Sequence, residues 1–204
     1  MNIEPIFPIG LLVHDVPEAI ADEVEKFVVS RIDKMPSREP PADQPGAPRA
    51  PHSTDYFESK KIIGDLPKDL PRLWVELCSC KDKYQEANNF KAINRQLQTN
   101  KSEFEWWCQD YIEGDFHHEH EHGIGRISGI YWVRANDAAG GIMFRNPNPF
   151  TEYSQDYDSN SIYSWQGNIH NAVKGKVLMF PSYLKHSVLI SGKGAERTTI
   201  AFNF

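Results

Sequence analysis

Beyond Phe104 the sequence gives up the helical period of its first half. Apolar and polar residues instead alternate over short runs, roughly 104–112, 117–122, 127–134, 141–145, 161–165, 176–180, 186–190 and 196–204, separated by turn-forming residues. Asn136-Asp137-Ala138-Ala139-Gly140-Gly141 and Ser191-Gly192-Lys193-Gly194 fit hairpin connections, and 146–160 reads as a polar, aromatic-bearing loop. Eight short strands in succession predict a jelly roll over 101–204.

The first hundred residues should buttress that barrel. The apolar run 6–13 is broken by Pro8 and Gly10, which suits an outer strand pairing with a sheet edge. Asp15, Pro17 and Glu18 resemble a capping-box helix start, after which Ile20, Val24, Phe27, Val28 and Ile32 share one face. A second helix is predicted over 66–88, its stripe formed by Leu70, Leu73, Trp74, Leu77 and Cys78, and a weaker third over 90–97. Between them, 34–53 carries Pro36, Pro40, Pro41, Pro45, Pro48 and Pro51 and can only run extended, as a lid, a recognition arm or a disordered segment. The expectation is one globular domain of 204 residues, mainly β with flanking helices.

Composition narrows the function. A net charge of −6 offers no basic stripe to a phosphate backbone. No apolar run approaches the roughly 20 residues that span a bilayer, and Met1-Asn2-Ile3-Glu4-Pro5 lacks the form of a signal peptide, so a cytoplasmic protein is expected. Cys78, Cys80 and Cys108 are odd in number and wrongly spaced for a Cys-x-x-Cys motif, and read as free thiols.

Chemistry concentrates in His117-His118-Glu119-His120-Glu121-His122, which holds half of the eight histidines. Residues two apart on a strand face one way, so two of His118, His120 and His122 can chelate one ion. A third ligand must come from elsewhere, and His186, opening a strand after Phe180-Pro181-Ser182, is the strongest candidate, although a lone histidine is more often structural. Arg197 and Thr199 share a side of the last strand, and an arginine with a nearby hydroxyl can grip a carboxylate. The common fate of an arginine is a surface ion pair, against which stand the neighbours Ile200, Ala201 and Phe202.

Gly114-Asp115-Phe116, His120-Glu121-His122, Ser128-Gly129-Ile130-Tyr131, Gly141-Ile142-Met143-Phe144, Phe180-Pro181-Ser182 with His186, and Arg197-Thr198-Thr199-Ile200-Ala201-Phe202-Asn203 resemble the 2-oxoglutarate-Fe(II) oxygenases of phages and marine bacteria. The likeness covers the C-terminal half; the N-terminal half shares only the Phe7-Pro8 start and its following helix. It implies a double-stranded β-helix (cupin-like) core, with Fe(II) held by His120, His122 and His186, and Arg197 and Thr199 on the distal carboxylate of 2-oxoglutarate. It also implies that Tyr111 and Trp132 face the cosubstrate pocket, that O2 is consumed, that the reaction is a hydroxylation, and a host-cytoplasm location if the gene is viral. The wider superfamily pairs two imidazoles with one carboxylate, whereas His-x-His here gives three neutral ligands.

Other registers stay open: His118 with His120, or His117 with Glu119, while Glu119 and Glu121 could orient the imidazoles from behind. Two other functions fit the same residues. One is a three-histidine zinc enzyme with Glu119 or Glu121 as base. The other is a non-catalytic, metal-stabilised jelly-roll binding module displaying Trp132, Tyr153, Tyr157, Tyr163 and Trp165. A protein side chain such as a peptidyl proline, a nucleobase or a small metabolite would each serve as substrate, entering over the 34–53 and 146–160 loops, and self-association is left open.

Overall fold

The computed structural model describes residues 9–36, 52–53, 56–88, 104–123, 127–148 and 166–204. Its elements are β1 (Leu12–Asp15), α1 (Glu18–Val29), β2 (His52–Ser53), α2 (Tyr56–Ile62), α3 (Leu66–Asp69), α4 (Pro71–Ala87), β3 (Glu105–Tyr111) and β4 (His117–His120). There follow β5 (Ile127–Ala135), β6 (Gly141–Arg145), β7 (Gly167–Asn171), β8 (Lys176–Pro181), β9 (His186–Val188) and β10 (Arg197–Asn203). The helix read at 90–97, the strand at 161–165 and most of the 34–53 and 146–160 loops lie outside the described residues, as do Phe7, Pro8, Tyr153, Tyr157, Tyr163 and Trp165.

Two antiparallel sheets face each other, one in the order β1-β8-β5-β10-β3-β2 and the other β4-β9-β6-β7. From β3 to β10 the chain changes sheet at every step except between β6 and β7, which pair with each other. This is the jelly roll expected from the strand pattern. The clusters at 136–141 and 191–194 are therefore corners between sheets, not hairpins, because β5 and β6, like β9 and β10, belong to opposite sheets. Turn residues serve either geometry, so composition alone could not separate them.

The six-stranded sheet is covered on both faces, and its middle strand β5 accordingly reads as a nearly continuous buried run from Ile127 to Val133. Outward, Trp106, Cys108, Tyr131, Val133, Met179, Ile200 and Phe202 pack in one cluster with Val24 and Val28 of α1 and Leu73 and Leu77 of α4. Inward, Ile130, Trp132, Leu178 and Phe180 meet Ile142 and Phe144 of the second sheet, with Leu184. Gly129 is required where these layers are tightest: a Cβ there would lie 2.3 Å from the Phe202 ring and 2.9 Å from the Leu178 carbonyl.

β1 is an edge strand on β8, as the broken 6–13 run predicts. α1 buries Ile20, Val24 and Val28, but Asp15 does not cap it; Pro17 is the N-cap residue, without a side-chain bond, and Asp15 ends β1 opposite Lys176. The helix predicted over 66–88 is two helices, because Pro71 holds Leu70 out of the helical region at φ −128, ψ 56. Downstream, Leu73, Leu77, Cys80 and Tyr84 are the buried residues of α4, and Cys78 is only partly covered. β7 was not foreseen: Gly167-Asn168-Ile169-His170-Asn171 has one large apolar residue, and Ile169 is 55% exposed at the sheet edge. Cys78, Cys80 and Cys108 remain thiols, outside any disulfide. Among the described residues no helix is long and apolar enough to cross a membrane.

Candidate active site

The histidine-rich segment forms β4, the edge of the four-stranded sheet, and pairs with β9 through His117↔Val188 and His120↔His186. The register shifts between those pairs. Strict alternation would have put His118 beside His120; instead His117 stacks on His120 at 4.2 Å between centroids, and His118 turns to the ring of Phe116. His122 lies past the strand end, its backbone N–H donating to the Ser182 carbonyl at 2.8 Å. That carbonyl is positioned in turn: Ser128 Oγ is 2.8 Å from Ser182 Oγ and 2.7 Å from Asn203 Oδ1, which ties β5, the turn after β8 and β10 together.

The result is that one nitrogen from each of His120, His122 and His186 lies within 4.8 Å of the others. A carbonyl oxygen can only accept, so Nδ1 of His186 donates to the Leu184 carbonyl (2.8 Å) and Nδ1 of His120 to the His118 carbonyl (2.7 Å). In the neutral rings this leaves both Nε2 lone pairs free, the tautomer a metal ligand needs. His122 Nε2 stands 3.3 Å from His186 Nε2. Burial, reinforced by neighbouring imidazoles, lowers the pKa of His117 and His122 to about 4 and that of His186 to about 3. The rings are therefore uncharged near neutrality. Glu119 is bonded to Arg145 and does not orient an imidazole; backbone carbonyls do that work.

A small cavity opens on these nitrogens, walled by Trp107, Gln109, His117, Ile130, Phe180 and Ala201, among others. Trp107 lies 5.5 Å from the His122 ring. From the cavity, the inward faces of β3 and β10 run side by side as the pairs Trp107↔Ala201, Gln109↔Thr199 and Tyr111↔Arg197. Arg197 is fully buried at the far end, its guanidinium 3.9 Å above the Tyr111 ring, and Nη1 donates to the carbonyls of Ala139 (2.5 Å) and Leu189 (3.2 Å). Among the described residues its Nε and Nη2, and Thr199 Oγ1, have no hydrogen-bond partner although buried. Burial lowers the Arg197 pKa, partly offset by Tyr111 and Asp115. Two buried donors and a hydroxyl on one side of β10 have the chemistry to hold a carboxylate.

Tyr111 thus stands beneath Arg197, with its hydroxyl donating to Gln109 Oε1 at 3.0 Å. Trp132 is 1% exposed and belongs to the inter-sheet core, paired with Thr199 across a bulge that leaves Val133 without a partner on β10. Trp107, Gln109 and His117 were not singled out as cavity residues from sequence. Period-2 alternation from Tyr111 would have found the first two; His117 depends on the register shift, which has no sequence signature.

Residues 105–203 match a family model described as "Putative 2OG-Fe(II) oxygenase". That stretch, 99 of the 204 residues, is similar to the 2-oxoglutarate-Fe(II) oxygenase family. No curated protein matches the sequence. Solved oxygenases share the fold: a Pseudomonas putida prolyl-4-hydroxylase, 12% identical, superposes with a TM-score of 0.57 over 96% of this chain and 92% of its own. SnoN, a non-heme alpha-ketoglutarate-dependent epimerase from nogalamycin biosynthesis, gives a TM-score of 0.61 at 9% identity over 96% of this chain and 78% of its own. The viral collagen prolyl hydroxylase vCPH of Paramecium Bursaria Chlorella virus-1, solved as its 2OG complex, gives 0.53 at 11% identity over 95% of this chain and 94% of its own. The barrel is therefore the double-stranded β-helix of this oxygenase fold, with helices packed on its larger sheet.

Proposed function

We propose that the chain is an Fe(II)- and 2-oxoglutarate-dependent dioxygenase that hydroxylates its substrate, with the iron held by His120, His122 and His186. The donor set fits: burial keeps His122 and His186 uncharged near neutrality, and Nε2 of His120 and of His186 is freed by its backbone-bonded Nδ1. The observation that carries the reading lies at the other end of the β3–β10 lane, where Nε and Nη2 of Arg197 and Oγ1 of Thr199 are buried without partners. A dicarboxylate is the cosubstrate class that reaches from a metal to such a cradle. Tyr111 holds the guanidinium from below, and Gln109, which lines the cavity, accepts from the Tyr111 hydroxyl. When bound, iron and 2-oxoglutarate supply activation of O2 with release of succinate and carbon dioxide. The protein binds, orients and excludes water, and the apolar wall of Ile130, Ile142, Phe180 and Val188 serves the last of these.

The zinc-hydrolase reading needs a carboxylate base beside the ion. Among the described residues no carboxylate lines the cavity, and Glu119 is engaged by Arg145. For the substrate, the prolyl-4-hydroxylase and vCPH favour a peptidyl residue. The decisive test is an anaerobic titration of metal-free protein with Fe(II) and then 2-oxoglutarate. A visible charge-transfer band of the chelated keto acid is expected, and iron binding without that band would refute the assignment.

A further inference from the structure

β7 ends the smaller sheet at the edge opposite β4, and β1 ends the larger one; among the described residues each pairs with a single neighbour. Between these two edges opens a second cavity of about 190 Å³, floored by Ile9, Leu11, Phe144 and Leu184 and bordered by Asn146 and Asn168. For comparison, an apolar cavity of roughly 150 Å³ holds a benzene molecule. The alternation of β7 is turned toward this space. Asn168 and His170, both half-buried, share the inward face with their partners Phe144 and Ile142, while Ile169 faces solvent. A strand closing a sandwich ordinarily carries apolar residues inward and polar ones outward. An edge position accounts for an exposed outer face, but not for a carboxamide and an imidazole on the inner one.

The cavity lies at the metal end of the barrel: Phe144 pairs with His186, and Leu184 stands in the turn that leads into His186. It also shares a wall with the metal centre. The Phe144 ring is 6.0 Å from that of His186 and 4.8 Å from that of Phe180, which lines the metal cavity, and the Leu184 carbonyl accepts from His186 Nδ1. One aromatic layer therefore separates the two spaces. Resting on the dioxygenase reading above, we propose that this cavity is a substrate subsite, and that the substrate is a peptide which seats a compact apolar side chain there, close in sequence to the residue that is oxidised. The apolar floor takes the side chain, and the Asn168 carboxamide, donor and acceptor at once, matches the adjoining peptide unit. An extended peptide advances about 3.3 Å per residue, so a few residues carry it across the aromatic layer. Seating there uses no position on the metal, which leaves the centre to 2-oxoglutarate and O2.

The test uses the full chain with N-acetyl-L-prolinamide, N-acetyl-L-leucinamide and N-acetyl-L-phenylalaninamide as probes, and N-acetylglycinamide as the control without a side chain. Saturation-transfer NMR should show at least one probe bound more tightly than the control, with its side-chain protons receiving most of the transfer. Leu11→Trp, which fills the cavity from the β1 side, should weaken that probe by about tenfold or more, the loss expected when one apolar side chain is no longer buried. Should Leu11→Trp not fold, Asn168→Ala should weaken it by about fivefold, the worth of one neutral hydrogen bond. The keto-acid band formed with Fe(II) and 2-oxoglutarate reports that each variant is folded and loaded. The inference is overturned if no probe exceeds the glycine control, or if a folded variant binds as the wild type does. Equal binding of 3-methylbutanol, which carries the leucine side chain without a peptide unit, overturns the peptide class in favour of a small apolar metabolite. Probes that fail beside an intact band overturn this inference alone, whereas a band that never forms in the wild-type protein overturns the dioxygenase reading and this inference with it.

Discussion

Arg197 is the residue whose burial cannot be explained by packing alone. It gives up water for two carbonyl acceptors and one aromatic face, and leaves Nε and Nη2 unpaired. Arg197→Ala should therefore weaken 2-oxoglutarate binding by about a hundredfold or more, a loss of about 3 kcal/mol as expected for a buried charge-assisted pair, while Fe(II) binding persists. Isothermal titration with each ligand separates the two. His186→Ala should abolish tight Fe(II) binding, since it removes the most buried of the three imidazoles, 4% exposed; equilibrium dialysis against iron would show it. These residues were legible in the sequence because imidazole, guanidinium and hydroxyl are rare in apolar strands and therefore conspicuous. Gln109 and Trp107 were not, since each is ordinary in a strand and acquires meaning only opposite Thr199 and Ala201.

At the scale of elements, the strand pattern reads correctly wherever a strand has one wet face or a long apolar run, and fails at β7, whose polar composition reflects its place at a sheet edge. The helices were legible as amphipathic stripes. Their ends were not, because Pro71 acts on the residue before it and Asp15 is taken by β1. The corners at 136–141 and 191–194 were mistaken for hairpins because partner choice between strands is a tertiary property. Gly129 makes the packing of β5 against β10 testable. Gly129→Ala should cost about 1–3 kcal/mol by overpacking against Phe202 and the Leu178 carbonyl, read as a lower urea midpoint. Unchanged stability would mean that the β5–β10 contact is looser than described.

For the molecule as a whole, the buried histidines make stability depend on pH. His117, His122 and His186 titrate near 6.5 when unfolded but only at about 4, 4 and 3 when folded. Between about pH 6.5 and pH 4 the unfolded chain thus holds more protons, so this contribution is complete above 6.5 and is lost as the pH falls through that window. Urea unfolding of metal-free protein at pH 7 and pH 4.5 should show the decline, and His186→Ala should shallow it. Ligands act in the opposite sense. Fe(II) with 2-oxoglutarate at a hundredfold over its dissociation constant should add about 2.7 kcal/mol, measurable as a raised melting temperature.

The register shift in β4 has one more consequence. Among the described residues β4 has a single neighbour and a broken ladder, and such a border is the place where a sheet begins to fray. The three imidazoles straddle that seam, two from the border segment and one from β9. An ion bound there would work as a rivet as well as a reagent: by tying the border segment to β9 it would hold that edge of the barrel closed.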